Sequence, residues 1–200
     1  MDFLVGAGQA ARVDGEIVSW VRVGDRSLNG NENNVLLRNV GESTPKFVPS
    51  AYVAGVDRIE DSRGVGVIDI DMDGDLDLVV QGVERPAVLL VNQGAVGNYL
   101  EVRLRGTLSN RDGIGARIEA RIGERTLLRE VTTTGGYITG RSLMTHFGLG
   151  DAEVVDVLTV HWPSGRASRM RNVKANQQLY IEESSVIEAT YKPEVPGTTR

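Results

Sequence analysis

Apolar and polar residues alternate along much of this chain with a period of two. In Tyr99-Leu100-Glu101-Val102-Arg103-Leu104-Arg105, Leu100, Val102 and Leu104 share one face, and the charged residues share the other. The run from Ile114 to Ile122 repeats the pattern, with Ile114, Ala116, Ile118 and Ile122 on one side and Arg and Glu opposite. Such alternation predicts antiparallel strands with one buried and one wet face. Gly123-Glu124 predicts a turn into a hairpin partner from Thr126 to Thr132. Shorter strands are expected from Glu16 to Val23, Val35 to Val40, Val65 to Ile68 and Leu78 to Val80. Others follow from Val154 to Trp162, where Pro163-Ser164-Gly165 turns the chain, then from Arg166 to Met170 and Leu179 to Ile181. Long helix-period apolar patterns are absent, so the predicted class is all-β.

Two of these strands read alike. Val35-Leu36-Leu37-Arg38-Asn39-Val40-Gly41 returns 53 positions later as Val88-Leu89-Leu90-Val91-Asn92-Gln93-Gly94. Self-similarity at that offset is the signature of propellers or repeat arrays. Between the copies lies the most unusual stretch of the chain, Asp69-Ile70-Asp71-Met72-Asp73-Gly74-Asp75-Leu76-Asp77. Five carboxylates at alternate positions, with a glycine for a sharp turn, aim several oxygens at one point. Unneutralised, they repel one another, and a hard cation that accepts six to eight oxygens removes the repulsion. The first six residues match the opening of an EF-hand loop, but the twelfth position is Val80, where that loop needs a bidentate Glu. The flanks read as strands rather than helices. The expectation is therefore a nine-residue Ca2+ loop between two strands. Asp69, Asp71, Asp73 and Asp77 would ligate through side chains, and Asp75 through its backbone carbonyl or as an outer carboxylate. The alternative is a solvated acidic turn.

Charge and composition narrow the field of functions. The 200 residues carry a net charge of −5, and much of that lies in the aspartate loop. No basic stripe supplies the phosphate-neutralising contacts that nucleic acid demands. No apolar run reaches the roughly 18–20 residues of a membrane span. There is no cysteine, so disulfides say nothing of compartment. Met1-Asp2-Phe3-Leu4-Val5 lacks the basic and long apolar regions of a secretory signal. The chain is then a fragment, a processed protein or a cytoplasmic one, and calcium favours a secreted, cell-surface or periplasmic setting, where millimolar Ca2+ fills even weak sites. Gly6-Ala7-Gly8-Gln9-Ala10-Ala11 mimics a dinucleotide fingerprint, but Val13-Asp14-Gly15 leaves no room for the helix that motif must open.

Five further motifs appear in sequence: Asn110-Arg111-Asp112-Gly113-Ile114-Gly115-Ala116, Gly135-Gly136-Tyr137, His146-Phe147-Gly148-Leu149-Gly150, Trp162-Pro163-Ser164-Gly165 and Asn172-Val173-x-x-Asn176-Gln177. Their order resembles the ASPIC/UnbV domain, which characteristically follows FG-GAP/VCBS-type repeats in cartilage acidic protein 1-like proteins. Arg63-Gly64-Val65, the aspartate loop and Leu76-Asp77-Leu78-Val79-Val80 are similar to one such calcium-binding repeat. The resemblance implies a propeller-blade-like antiparallel sheet in residues 1–97, with the calcium loop at 69–77. A small β-sandwich-like domain would follow at 98–183, and an extended or disordered tail at 184–200. It also implies a secreted or cell-surface setting with matrix, adhesion or undefined roles. The family's propellers have several blades, whereas only one complete repeat is present here. A lone blade leaves strand edges that Phe3 to Val5 or Glu16 to Val23 would complete, within the chain or in a neighbouring copy, giving a homo-oligomer or filament.

Catalytic groups are scarce. His146 and His161 have no acid–nucleophile pattern nearby, and Ser142, Ser164 and Ser168 lie in no nucleophile elbow. Asp112 reads as a turn former or as the partner of an arginine. Thr132-Thr133-Thr134-Gly135-Gly136-Tyr137 reads as an exposed loop in which Tyr137 either stacks on a sugar or packs at home. Trp162 reads as core, and Trp20 as core or contact aromatic. The sequence therefore predicts a non-enzymatic, calcium-stabilised extracellular module for adhesion or self-assembly through a protein partner or itself. The alternative is a carbohydrate-binding module with Tyr137 or Trp20 as its platform.

Overall fold

The computed structural model describes residues 33–41, 44–59, 61–83, 85–94 and 97–184, together with the backbone of three short strands, Ala11–Val13, Glu16–Val18 and Ala189–Thr190. Expected strands or aromatics at Phe3 to Val5, Val18 to Val23 and Trp20 lie outside the described side chains. The chain divides into two compact units, Met1–Ser62 and Arg63–Arg200.

In the first unit, β1 (Ala11–Val13) and β2 (Glu16–Val18) form an antiparallel pair, as do β3 (Leu37–Asn39) and β4 (Phe47–Pro49). In the second pair, Leu37 and Phe47 are exposed.

The second unit opens with a three-stranded sheet of β5 (Ser62–Ile68), β6 (Asp77–Gly82) and β7 (Val88–Leu90) in the order β5-β6-β7. The aspartate loop joins β5 to β6. After it come β8 (Asn98–Arg105), β9 (Arg117–Ile122), β10 (Arg125–Glu130), the small hairpin β11 (Thr134–Gly136) and β12 (Thr139–Gly140), and β13 (Thr145–Gly150). The unit closes with β14 (Val154–His161), β15 (Ala167–Lys174), β16 (Gln177–Glu182) and β17 (Ala189–Thr190). Two sheets result, β10-β9-β14-β15-β17 and β13-β8-β16.

The apolar faces of these two sheets form one core. Leu100, Val102 and Leu104 of β8 and Phe147 and Leu149 of β13 cluster with Ile118 and Ala120 of β9 and Leu158 and Val160 of β14. Trp162 is part of that core, and its indole Nε1 donates to Ser168 Oγ at 2.9 Å, so its one polar atom is satisfied. The described residues contain no helix, so none is long and apolar enough to cross a membrane.

Three details depart from the expectations set by the sequence. Ile114 is not on the buried strand face: β9 starts only at Arg117, and Ile114 sits exposed in the preceding turn. Asn110 holds that turn, accepting from Ile114 N–H and donating to its carbonyl, both at 2.8 Å. Glu101, assigned to the wet face, is buried and accepts from Gln178 Nε2 at 2.8 Å. The sheets are also not purely antiparallel, since β16 pairs parallel with β8 and β17 parallel with β15. Alternation sets which face a residue takes, but it carries no information about which strand lies alongside.

The second V-L-L-x-N-x-G copy echoes the first at atomic level. In each, the asparagine side chain accepts the N–H of the glycine two residues on, Asn39 from Gly41 at 3.0 Å and Asn92 from Gly94 at 3.3 Å. These are side-chain turns that end a strand.

Candidate metal centre

The loop between β5 and β6 is drawn together by its own carboxylates. Asp69 Oδ2 accepts from Gly74 N–H across the loop at 2.9 Å, and Asp77 Oδ2 accepts from Ile70 N–H at 2.9 Å. Asp77 Oδ1 takes the N–H of Asn92 from the end of β7 at 2.8 Å, so this buried aspartate links loop and neighbouring strand. Asp73 Oδ1 accepts from Asp75 N–H at 3.0 Å. Two residues make the bend by adopting left-handed backbone, Met72 at φ 60° and Gly74 at φ 98°. Glycine is needed at 74 for a further reason: a Cβ there would collide with the ring of Tyr99.

The outcome is that Asp69, Asp71 and Asp77 each offer a carboxylate oxygen, all within 4.8 Å of one another. Oxygens bound to one Ca2+ at about 2.3–2.6 Å lie at most about 5 Å apart, so this cluster could hold a metal ion. Two observations support the fit. Asp69 Oδ1 is buried without a hydrogen-bond partner, a costly arrangement that a cation would relieve. Asp71 has its pKa raised, by desolvation first and then by the charges of Asp73 and Asp77, with a smaller push from Asp69. The N–H of Asp73 acts the other way. Three carboxylates without nitrogen or sulfur select a hard cation over zinc or copper. Asp73 and Asp75, the other two predicted ligands, lie outside this group of three. Asp73 is exposed at the loop surface and Asp75 is buried.

Sequence reasoning did not find what holds the loop from the other side. His146 of β13 places Nε2 at 2.9 Å from the Gly74 carbonyl oxygen, and as the donor it caps the tip of the loop. Tyr99 stacks on His146, with ring centroids 6.1 Å apart and planes 8° from parallel. The phenol feels the loop as well. Its pKa is raised by burial and then by the charges of Glu101, Asp69 and Asp73. Asn176, left-handed at φ 57°, fixes Tyr99 by accepting its N–H at 3.1 Å and donating its own to the Tyr99 carbonyl at 2.7 Å. A polar hollow of about 480 Å³ opens beside this latch, between Asp73, Asp75, Gln93, Tyr99 and Asn176. A histidine and a tyrosine 47 positions apart (Tyr99 to His146) leave no local sequence signal, because they meet only through the pairing of β8 with β13.

A second polar centre also lay beyond sequence reading. Glu183, just past β16, is buried, and its carboxylate accepts from the N–H groups of Thr107, Leu108 and Ser109 at 2.7–2.9 Å. The hydroxyls of Ser109 and Ser164 add bonds of 3.0 and 2.5 Å. Burial alone pushes this carboxyl up. The bonds from Ser164, Ser109, Thr107 and Leu108 outweigh it and lower the pKa from 4.5 to about 2. Nothing in the local sequence marks Glu183 out from Glu182; the nest of loop amides forms around the second one only in the folded chain. Of the remaining candidates, Asp112 is the partner of an arginine, Arg103 at 2.9 Å, and His161 faces Glu119 at 3.5 Å on the outer sheet surface. Tyr137 is exposed on the β11–β12 hairpin.

With this geometry in place, comparison with known proteins gives one result. Residues 106–188 match the family model described as ASPIC and UnbV. The chain carries an ASPIC/UnbV domain. The match starts at the end of β8, so the aspartate loop lies upstream of it, while the Glu183 nest lies within it. Within the ASPIC/UnbV domain the family-like motifs serve as fasteners: Asn110 closes a turn, Ser164 of Trp162-Pro163-Ser164-Gly165 binds Glu183, and Asn176 ties β16 to the start of β8. No curated protein was found to match the chain.

Proposed function

We propose that this is a calcium-stabilised, non-enzymatic extracellular module for adhesion or self-assembly, in which an FG-GAP/VCBS-type repeat is clamped to the ASPIC/UnbV domain by a bound ion. The observation that carries this reading is the convergence of Asp69, Asp71 and Asp77 on one point, in a loop whose tip is gripped by His146. Asp69 and Asp77 shape the loop through backbone N–H groups and keep lone pairs for the ion, since each carboxylate has about four acceptor sites. Asp71 completes the charge. The ion supplies the compensation for three facing carboxylates, and the residues around it fix two strands and the latch.

Binding to the folded state alone adds about 2.7 kcal/mol at a hundredfold excess of ion over Kd. The test is thermal unfolding in calcium and in chelator. A calcium-dependent rise in Tm that Asp71→Asn removes is the expected result, and an identical melt under both conditions refutes the reading. Asp71 is the residue to change, because it is exposed and no second element hangs from it. For self-assembly, sedimentation in calcium should show particles heavier than one chain.

A carbohydrate-binding module is the second reading, favoured by the exposed Tyr137 beside exposed Ile138 at the tip of the β11–β12 hairpin. Glycan-array binding that Tyr137→Ala abolishes would establish it in place of the first.

A further inference from the structure

The outer face of the five-stranded sheet carries a feature that neither the metal loop nor its latch uses. In register across the sheet, Val157 of β14 lies between Arg171 of β15 and Arg121 of β9, with Thr126 beyond Arg121 on β10. In the next row, Thr159 lies between Arg169 and Glu119. Short side chains in the middle strand and long ones on both flanks leave a hollow of about 300 Å³ floored by Val157 and Thr159 and walled by the arginines. Neighbouring strands are about 4.8 Å apart, so the Cα atoms of Arg171 and Arg121 stand about 10 Å apart, on opposite sides of a single opening.

Charge selects what could enter. Three guanidinium groups face one carboxylate in this hollow, on a chain whose net charge is −5. The one carboxylate, Glu119, has its oxygen 3.5 Å from His161 Nε2 in the adjacent row. Arg121 and Arg169 make no side-chain hydrogen bond or ion pair with the described residues, although both stand in a sheet face dense with charge. Arg171, which has an interaction of its own, completes the wall. The hollow has no aromatic side chain on which a base could stack, and its apolar surface is small. Guanidinium forks bind planar or tetrahedral oxyanions through paired N–H donors, and the Thr159 and Thr126 hydroxyls add further donors. Its volume is at the lower end of small-ligand sites, which fits one anionic group rather than a long chain.

We propose that this hollow binds a tetrahedral oxyanion, sulfate or phosphate, either as the free ion or as an ester on a sugar. The site is independent of the aspartate loop and should work in chelator as in calcium.

Isothermal titration of the full chain with sodium sulfate, sodium phosphate, a heparin-derived hexasaccharide and its desulfated counterpart tests the proposal and separates the sources. If the ester is the ligand, the sulfated hexasaccharide binds at least about tenfold tighter than either free ion, and the desulfated sugar does not bind. If the free ion is the ligand, sulfate or phosphate binds as tightly as the sulfated sugar. In both cases Arg121→Ala and Arg169→Ala should each weaken binding about tenfold, and Thr126→Glu should abolish it by placing a carboxylate at the rim. Arg141→Ala, on the β12 side of the hairpin, should leave it unchanged. All four positions are exposed, so unchanged melting curves will certify the fold. Binding that survives the Arg121→Ala/Arg169→Ala double variant, binding equally strong for the desulfated sugar, or no binding by any probe overturns the proposal.

Discussion

Residues 98–183 and residues 63–94 are both largely β-sheet and belong to one compact unit, yet they hold together by different means. In the first, apolar side chains from Leu100 to Ile181 form one cluster, most of them wholly buried. In the second, Val80 is the buried large hydrophobic among the described residues, while Val65, Val67, Ile68, Leu89 and Val91 are exposed. What the three-stranded sheet lacks in buried apolar area it makes up with polar ties: Asp77 to Ile70 and Asn92, Asp69 to Gly74, and His146 to the Gly74 carbonyl. Hydrophobic stabilisation scales with area removed from water, so a sheet with few buried side chains depends on its fixed charges and on whatever neutralises them. On the proposed calcium reading, the contrast predicts that the ASPIC/UnbV sheets stand without an ion and that the aspartate-loop sheet does not.

The contrast breaks most completely if the apolar cluster is opened. Phe147→Ala or Leu158→Ala should cost about 3–5 kcal/mol by urea unfolding, equally in calcium and in chelator. A calcium-dependent cost would mean that the two regions share one source of stability. Glu183→Ala should come next, at about 2–3 kcal/mol, because five part-buried donors lose a charged acceptor. The same carboxyl carries a pH signature. Its folded pKa of about 2 lies below the ordinary 4.5, so its contribution is complete above 4.5 and is lost as pH falls towards 2. Acid titration of stability should show this loss in the wild type, and a shallower slope over that interval in Glu183→Gln.

Smaller effects sharpen the comparison. Asp71→Asn should remove the calcium-induced rise in Tm and leave the chelator melt the same or slightly higher, since it removes one of several repelling charges. His146→Ala should lower stability by only about 1 kcal/mol. In hydrogen exchange, however, it should stop calcium from protecting β8 and β13 while β5 and β6 still respond; protection of all four strands in the variant would show that the latch does not couple them. Least of all, Tyr137→Ala should change stability by less than about 0.5 kcal/mol, as an exposed hairpin residue, and a larger loss would place that ring in a packing role.

Much of this molecule could be read from particular residues. The faces of β8, β9 and β14 follow from the alternation of Leu100, Val102, Leu104, Ile118, Leu158 and Val160, because a strand turns successive side chains to opposite sides whatever surrounds it. The turn at Gly74 and the acidity of the loop around it were equally plain. Ile114 misled because alternation continues past the end of a strand when the turn residues happen to fit the period. Glu101 misled, and Glu183 gave no signal, because sequence assigns a carboxylate to water unless a donor is known to await it. Both donors, Gln178 and the 107–109 amides, arrive from chain positions more than seventy residues away.

The sequence by itself determined that the chain is β throughout, that its C-terminal sheets have an apolar side, and that five aspartates crowd one turn. Those properties depend on residues within a few positions of one another. Only the tertiary structure decided which three carboxylates meet, that Tyr99 and His146 hold the loop tip, and that Glu183 is caged by amides. The physical reason is that strand pairing, parallel for β8 with β16 and antiparallel for β8 with β13, brings distant segments side by side. Residue spacing along the chain does not encode those neighbours, and the polar groups acquire their partners, and their altered ionisation, only once the sheets have formed.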